Sequence, residues 1–117
     1  MLMLSPSTRI FIAAERIDMR KSIDGLSLLV QGVLHKDPLS GHLFVFVNRR
    51  GDKVKVLYWD RTGFCLWYKR LEKQRFRFPK ISGDVYRVNA TELGMILEGI
   101  DLTHQQRLDA VDYDVVN

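Results

Sequence analysis

The sequence predicts a single α+β domain, a small, mainly antiparallel β-sheet with a central hairpin and two or three helices. The chain has 117 residues, of which 46% are hydrophobic and 27% charged, the balance of an ordinary soluble domain. A chain of this length buries one hydrophobic core rather than two. We therefore expect one domain over residues 1–102 and a C-terminal tail over 103–117 that frays, because its periodicity is weak.

The strongest local prediction is a β-hairpin over residues 42–59. Residues 42–47 (HLFVFV) are apolar and rich in β-branched and aromatic types, as in a central strand buried on both faces. The cluster NRRGD at 48–52 is typical of a turn. The alternation of lysine and valine from residue 53 then predicts a second strand with one polar and one apolar face. Further short strands are expected at 9–14 (RIFIAA), 75–78 (RFRF) and 85–88 (VYRV).

Helical periodicity predicts the covering layer. Over residues 21–35 the apolar positions recur every three or four residues, and the turn-forming DPLSG at 37–41 ends the pattern. Over 62–73 a helical wheel gathers Phe64, Trp67, Tyr68 and Leu71 on one arc, opposite Lys69, Arg70 and Lys73. We expect these two helices to lie against one face of the sheet. A third, short helix should begin with a capping box at Asn89 and Glu92 and end near Gly99.

Several classes of chemistry have no sequence signature here. The single cysteine excludes an internal disulfide framework and a Cys-rich zinc module. The histidines at 35, 42 and 104 lack metal-ligand spacing, and neither a phosphate-binding glycine loop nor a nucleophile elbow is present. We therefore expect no metal, no cofactor and no catalytic activity. The start MLMLSPSTR has no basic segment, and no apolar run is long enough for a membrane span. A cytoplasmic protein without membrane contact is expected.

Positive charge is concentrated in the middle of the chain. Residues 49–80 contain 11 Lys/Arg and 3 Asp/Glu, a net charge of +8, whereas the other 85 residues carry 7 basic and 11 acidic groups, a net charge of −4. Such a block attracts polyanions. Seven of the twelve aromatic residues lie between 58 and 78; they suit a scaffold better than a stacking platform for bases. The candidate nucleic-acid-binding residues are Arg49, Arg50, Lys53, Lys55, Arg61, Lys69, Arg70, Lys73, Arg75 and Arg77.

Placement of these ten residues follows from the predicted elements. Arg49 and Arg50 stand at the tip of the hairpin, where they can reach a groove or a phosphate. If the hairpin, the 75–78 strand and the outer face of the 62–73 helix adjoin, their cations form one surface. Arg20 and Lys21 are weaker candidates, because a solvated first helical turn explains them equally well.

Long stretches of the sequence resemble one family. DMRKSIDGL (18–26), DPLSGHLFVFVNRRGDKVKVLYWDRTGFCLWYKRLEKQRFRFP (37–79) and LEGID (97–101) are similar to the TnpB accessory proteins, also called Orf2-like proteins, of the insertion-sequence-sixty-six group of bacterial transposable elements. The resemblance covers about residues 9–101. It implies a small protein that is encoded beside a separate transposase and assists transposition. It brings no catalytic motif, because the strand-transfer carboxylates belong to the transposase.

Three functional hypotheses remain open. The first is an accessory protein that binds the DNA of the element through the basic block and assists the transposase. The second is a protein-interaction module that binds the transposase without contacting DNA. The third, a metal-dependent nuclease, depends only on scattered aspartates that would have to converge on a metal ion. DNA and the transposase are accordingly the expected partners.

Overall fold

A computed structural model describes residues 4–80 and 82–103 as a five-stranded sheet with two helices. The elements are β1 (Ile10–Ala13), α1 (Ile23–Gly32), β2 (Leu43–Val47), β3 (Lys53–Asp60), β4 (Gly63–Arg70), β5 (Val85–Val88) and α2 (Ala90–Leu97). The strand order is β4-β3-β2-β1-β5. Only the pair β1 and β2, joined through α1, is parallel; the other neighbours are antiparallel. The tail from residue 104 lies outside the described residues.

The central strand is β2, and its five residues are all buried. Because side chains alternate across a sheet, β2 contributes to two hydrophobic clusters. Leu43, Val45 and Val47 pack in the cluster of α2, while Phe44 and Phe46 pack in the cluster of α1. The sheet is therefore covered on both faces, one helix on each, rather than by two helices on one face.

The predicted helix over 62–73 is wrong: residues 63–70 form strand β4, which pairs with β3 along its whole length. The pleat sends Phe64 and Leu66 toward α1 and Trp67 toward α2. The apolar run over residues 64–68 is compatible with the buried face of a helix and also with a strand whose two faces both pack against helices. Pairing with β3 selects the strand. Leu66 is half-buried in the α1 cluster.

Residues 75–78 do not form a strand either, but the two phenylalanines are buried and the two arginines are more exposed, as the alternation predicted. Phe76 and Phe78 are 1% and 7% exposed and belong to the α2 cluster. The segment instead joins the hairpin turn through one backbone hydrogen bond, from Phe76 N to Gly51 O. Helix α2 begins as predicted with a complete capping box between Asn89 and Glu92.

Candidate nucleic-acid interface

One end of the sheet collects most of the basic side chains. The parallel strands β1 and β2 both end here, β3 begins here and β4 ends here. We call this region the basic end and define it as residues 14–22, 48–55, 70–75 and 82–84. Its ten cations are Arg16, Arg20, Lys21, Arg49, Arg50, Lys53, Lys55, Arg70, Lys73 and Arg75, and its five acids are Glu15, Asp18, Asp52, Glu72 and Asp84. The region therefore carries a net charge of +5, the difference between these two sets.

The frame of the basic end is the turn between β2 and β3. Asn48 Oδ1 accepts hydrogen bonds from the backbone N–H groups of Gly51 and Lys53, each at 3.0 Å. Its Nδ2 donates to Asp52 Oδ1 at 2.8 Å, and this bond is the main reason why the pKa of Asp52 lies below its usual range. Gly51 has φ +79°, a conformation that glycine adopts without strain. The turn is thus fixed from inside, and Arg49 beside it is exposed.

The loop that follows β1 is tied to the same turn. The N–H of Ile17 donates to Val47 O at 3.0 Å, and Arg16 Nη1 donates to Asn48 O at 3.3 Å. The Arg16 guanidinium also lies 4.9 Å from the centre of the Phe78 ring, a cation–π contact. Partial burial there lowers the pKa of Arg16, which remains a cation at neutral pH.

Two further contacts complete the frame. Lys55 Nζ donates to the carbonyl oxygens of Met19 and Lys21 at 2.7 and 2.8 Å, so this lysine anchors the start of α1 to β3. Asp18 accepts from Arg20, with Nη2 at 2.6 Å from Oδ2. The hydrogen bonds from Arg20 lower the pKa of Asp18 to about 2. Arg20, a weaker candidate predicted from sequence, lies in the loop before α1 rather than in its first turn.

Segment 71–76 wraps the outside of the turn. The N–H of Leu71 donates to Asp52 O and that of Phe76 to Gly51 O, both at 2.7 Å. A Cβ added to Gly51 would lie 3.6 Å from Arg16 Nη1 and 3.6 Å from Arg75 Cδ. Arg16 and Arg75 therefore flank the same glycine from two different loops, and neither forms an ion pair with a carboxylate of the described residues.

Of the ten residues predicted from sequence, seven lie at the basic end: Arg49, Arg50, Lys53, Lys55, Arg70, Lys73 and Arg75. Two of these contact carboxylates: Arg50 Nε lies 3.9 Å from Asp52 and Arg70 Nε 2.8 Å from Glu72. Both arginine side chains stay mostly exposed, at 75% and 59%. Such exposed pairs are weak, so they leave most of the positive potential in place.

The other three predicted residues lie elsewhere. Lys69 points to the α2 face, where its Nζ donates to Leu97 O at 2.8 Å and to Glu98 at 3.2 Å; it caps the C-terminus of α2. Arg77 Nη1 lies 3.5 Å from Asp101. Arg61 is at the opposite end of the sheet, in the turn between β3 and β4, 3.9 Å from Asp60. The expected surface through a 62–73 helix therefore does not form.

Sequence reasoning missed Arg16, because it lies 33 positions before the basic block begins at Arg49. Only the path of the chain after β1 brings the two residues together. The repeated contacts between loop 14–22 and turn 48–52 show that position in the sheet, rather than local composition, assembles the basic end. A β–α–β unit predicted for residues 9–47 would have placed the loops after β1 and β2 at the same end of the sheet, because the two strands are parallel.

The described residues lack two other kinds of site. Among residues 4–80 and 82–103, no three His, Cys, Asp or Glu side chains lie close enough to hold a metal ion. No helix in this part of the chain has the length and apolar character for crossing a membrane. None of the aspartates that motivated the nuclease hypothesis belongs to such a group of three within the described residues.

The fold and this surface define a small α+β protein that bears a cluster of ten cations, six of them exposed. Comparison with known proteins places it more narrowly. The family model described as IS66 Orf2 like protein matches residues 8–107, and the chain belongs to this family of transposition-associated accessory proteins. The predicted family resemblance is confirmed.

Two relatives come from Sinorhizobium fredii (strain NBRC 101917 / NGR234). The protein named Uncharacterized protein y4hO is 41% identical over 106 residues, which cover 91% of this chain and 92% of the relative. Uncharacterized protein y4jC is 35% identical over 107 residues, covering 90% and 92% of the two chains. No solved structure matches the chain.

Proposed function

We propose that this protein is a non-catalytic accessory factor of transposition that binds DNA through the basic end and assists a separate transposase. One observation carries the proposal: ten cations and only five acids meet at one end of the sheet. Family membership supplies the biological setting. Lysine and arginine side chains neutralise phosphates and release counterions, which is the main source of affinity for DNA of any sequence.

The frame of the basic end suits this role. Turn 48–52 is hydrogen-bonded from inside by Asn48 and from outside by segment 71–76. Arg49 and Arg50 are exposed on it, so they reach a phosphate without the cost of ordering a loose loop. Arg49, Lys53 and Lys73 form no ion pair within the described residues. Their charge is available to a polyanion.

A gel-shift titration tests the proposal on terminal-repeat and unrelated duplexes at several salt concentrations. The double variant Arg49→Ala/Arg50→Ala should bind more weakly, and the slope of log K against log salt should flatten by about 1.8 if both arginines contact phosphates. Its free energy of unfolding should change by less than about 0.5 kcal/mol per substitution, since exposed turn residues bury little.

The matched control is Arg61→Ala. Arg61 is also an exposed arginine in a β-turn, but it lies at the opposite end of the sheet. This variant should keep the wild-type affinity and salt slope. If the wild-type protein retards neither duplex at low salt, the proposal fails. Unfolding of the double variant would assign a structural role to the pair instead.

The second candidate, a module that binds the transposase without contacting DNA, is favoured by the outer edge of β4. This strand is eight residues long and, among the described residues, pairs with a strand on one side only. Tyr68 on it is 52% exposed. A free edge offers backbone hydrogen bonds to an added strand. Co-purification with the transposase from nuclease-treated extract supports this candidate, whereas loss of co-purification after nuclease treatment indicates a DNA bridge.

A further inference from the structure

A cleft of about 500 Å³ opens beside the basic end, between α1 and the sheet. Its floor is apolar: Leu29 and Val33 are partly exposed there, and the buried residues Ala13, Leu34 and Phe46 complete the lining. Phe46 belongs to the central strand and is fully buried, so the floor is part of the rigid core. Sites for small ligands typically have volumes of about 300–1,000 Å³ and an apolar lining with a few polar groups.

Arg16 also lines this cleft, but its guanidinium contacts Asn48 O and the Phe78 ring. The other charged residues of the rim are divided between two sides. Lys21 and Arg49 stand on the side of β2 and β3: Arg49 follows β2, and Lys55 of β3 holds the carbonyl of Lys21 at 2.8 Å. Glu15 and Asp84 stand on the side of β1 and β5, where the N–H of Ala14 donates to Asp84 O at 2.9 Å. The ligand should therefore carry an anion at one end and hydrogen-bond donors at the other.

We propose that the cleft seats one unpaired nucleotide of a DNA strand. Its phosphate would contact Lys21 and Arg49, its base ring would cover the apolar floor, and the exocyclic amino group of adenine, cytosine or guanine would donate to Glu15 or Asp84. This inference rests on the proposed function and deepens it. In a duplex each base is stacked and paired and cannot enter such a cleft, so an unpaired end or extruded nucleotide is required.

The remaining charge around the cleft favours a nucleic acid over a peptide. Asp18, the third carboxylate of the rim, already accepts three hydrogen bonds from the Arg20 guanidinium, at 2.6–3.1 Å. The Arg20 guanidinium therefore neutralises the charge of Asp18. The side of the cleft that carries Lys21 and Arg49 remains cationic. The strand that leaves the cleft on this side would run directly over Arg50 and the rest of the basic end.

The test compares three DNA ligands of the same sequence: a blunt duplex, the duplex with a three-nucleotide overhang, and that duplex with abasic sites in the overhang. The overhang should be bound at least tenfold more tightly than the blunt duplex. Abasic sites keep the phosphates and remove the bases, so they should abolish most of this advantage. Equal affinity for the abasic and intact overhangs in the wild-type protein would overturn the inference.

A cleft-filling variant gives a second measurement. Ala14→Leu adds a larger side chain to the cleft wall; it should remove the preference for the overhang over the blunt duplex. Ala90→Leu is the control, because Ala90 is exposed at the start of α2. If Ala14→Leu fails to fold, the abasic comparison still decides. If it keeps the preference for the overhang, no base occupies the cleft.

The outcomes separate this inference from the proposed function. Absence of binding to every duplex would overturn both. Binding to the blunt duplex without a gain from the overhang would overturn only the nucleotide site. Loss of transposase binding in Ala14→Leu, with the preference for overhangs intact, would assign the cleft to a protein side chain and likewise overturn it.

Discussion

The two turns that β3 makes with its neighbours are alike in sequence and unlike in structure. Each carries exposed arginine: Arg49 and Arg50 in turn 48–52, and Arg61 in the turn from Asp60 to Gly63. The first turn has a side-chain bridge, a glycine at φ +79° and a covering segment. The second is a tight connection in which the N–H of Thr62 bonds to Asp60 O. A turn that carries arginine holds it on a rigid base, here called the platform, only when other loops pack around the turn.

Charge context separates the two turns as well. Turn 48–52 is surrounded by cations from two other segments of the basic end, 14–22 and 70–75. Arg61 has Asp60 at 3.9 Å as its partner, with 94% of its own side chain exposed. Beside it, Trp59 and Phe64 pack edge to face with ring centres 5.1 Å apart. These two aromatic residues face each other across the last pairs of β3 and β4 before the turn. The sequence block of basic residues thus spans two surfaces with different electrostatics.

The largest expected difference is in the free energy of unfolding, between substitutions of the polar residues that hydrogen-bond within each turn. Asn48→Ala should lower the free energy of unfolding by about 2 kcal/mol, because the Lys53 N–H loses its acceptor and Asp52 its donor in a partly buried site. Thr62→Ala removes only an exposed hydroxyl contact of 3.4 Å and should cost less than about 0.5 kcal/mol. Urea denaturation of both variants measures the difference; similar values would show that turn 48–52 is no more constrained than its counterpart.

A smaller effect is expected from the glycines. Gly51→Ala places a side chain at φ +79° and should destabilise the protein by about 1–2 kcal/mol. Gly63 has no positive φ, and a Cβ there meets nothing within 4 Å, so Gly63→Ala should lie within about 0.5 kcal/mol of wild type. Thermal unfolding of the pair provides the measurement. Wild-type stability of Gly51→Ala would mean that the turn relaxes easily, which contradicts a rigid platform.

Local signals in the sequence were sufficient where the interaction itself is local. The capping box joins Asn89 to Glu92, three residues apart, and both hydrogen bonds form as predicted. The alternation at 75–78 placed Phe76 and Phe78 in the core even though no strand forms. Burial depends mainly on residue type, whereas strand formation depends on whether a neighbouring edge is free.

The failures arise from contacts between distant segments. Whether residues 63–70 form a helix or a strand depends on β3, because an apolar run that fits both periods takes the structure that its partner allows. Lys69 then alternates to the α2 face and caps that helix, although a helical wheel had placed it beside Arg70. Arg16 joins the site only through the path of the chain after β1. Sequence therefore predicted most of the basic residues but not the surface that they share.

The subtlest prediction concerns protonation within the platform. The hydrogen bond from Asn48 is the main reason why the pKa of Asp52 lies below its ordinary value of 3.8. A carboxylate with a lowered pKa stabilises the fold above that ordinary value, and this contribution is lost as the pH falls through the folded-state pKa. In Asn48→Ala the pKa of Asp52 should rise toward 3.8, as followed by NMR titration of the carboxyl carbon.

Asp18 is the internal control for this titration. Its pKa of about 2 is due chiefly to hydrogen bonds from Arg20, which the substitution at position 48 leaves in place. It should therefore not move in Asn48→Ala and should rise in Arg20→Ala. If both carboxyl groups shift together in Asn48→Ala, loop 14–22 has moved with the turn, and the two segments form one cooperative unit. If Asp52 alone shifts, the bridge inside turn 48–52 acts locally, and the arginines can be varied without disturbing the neighbouring loop.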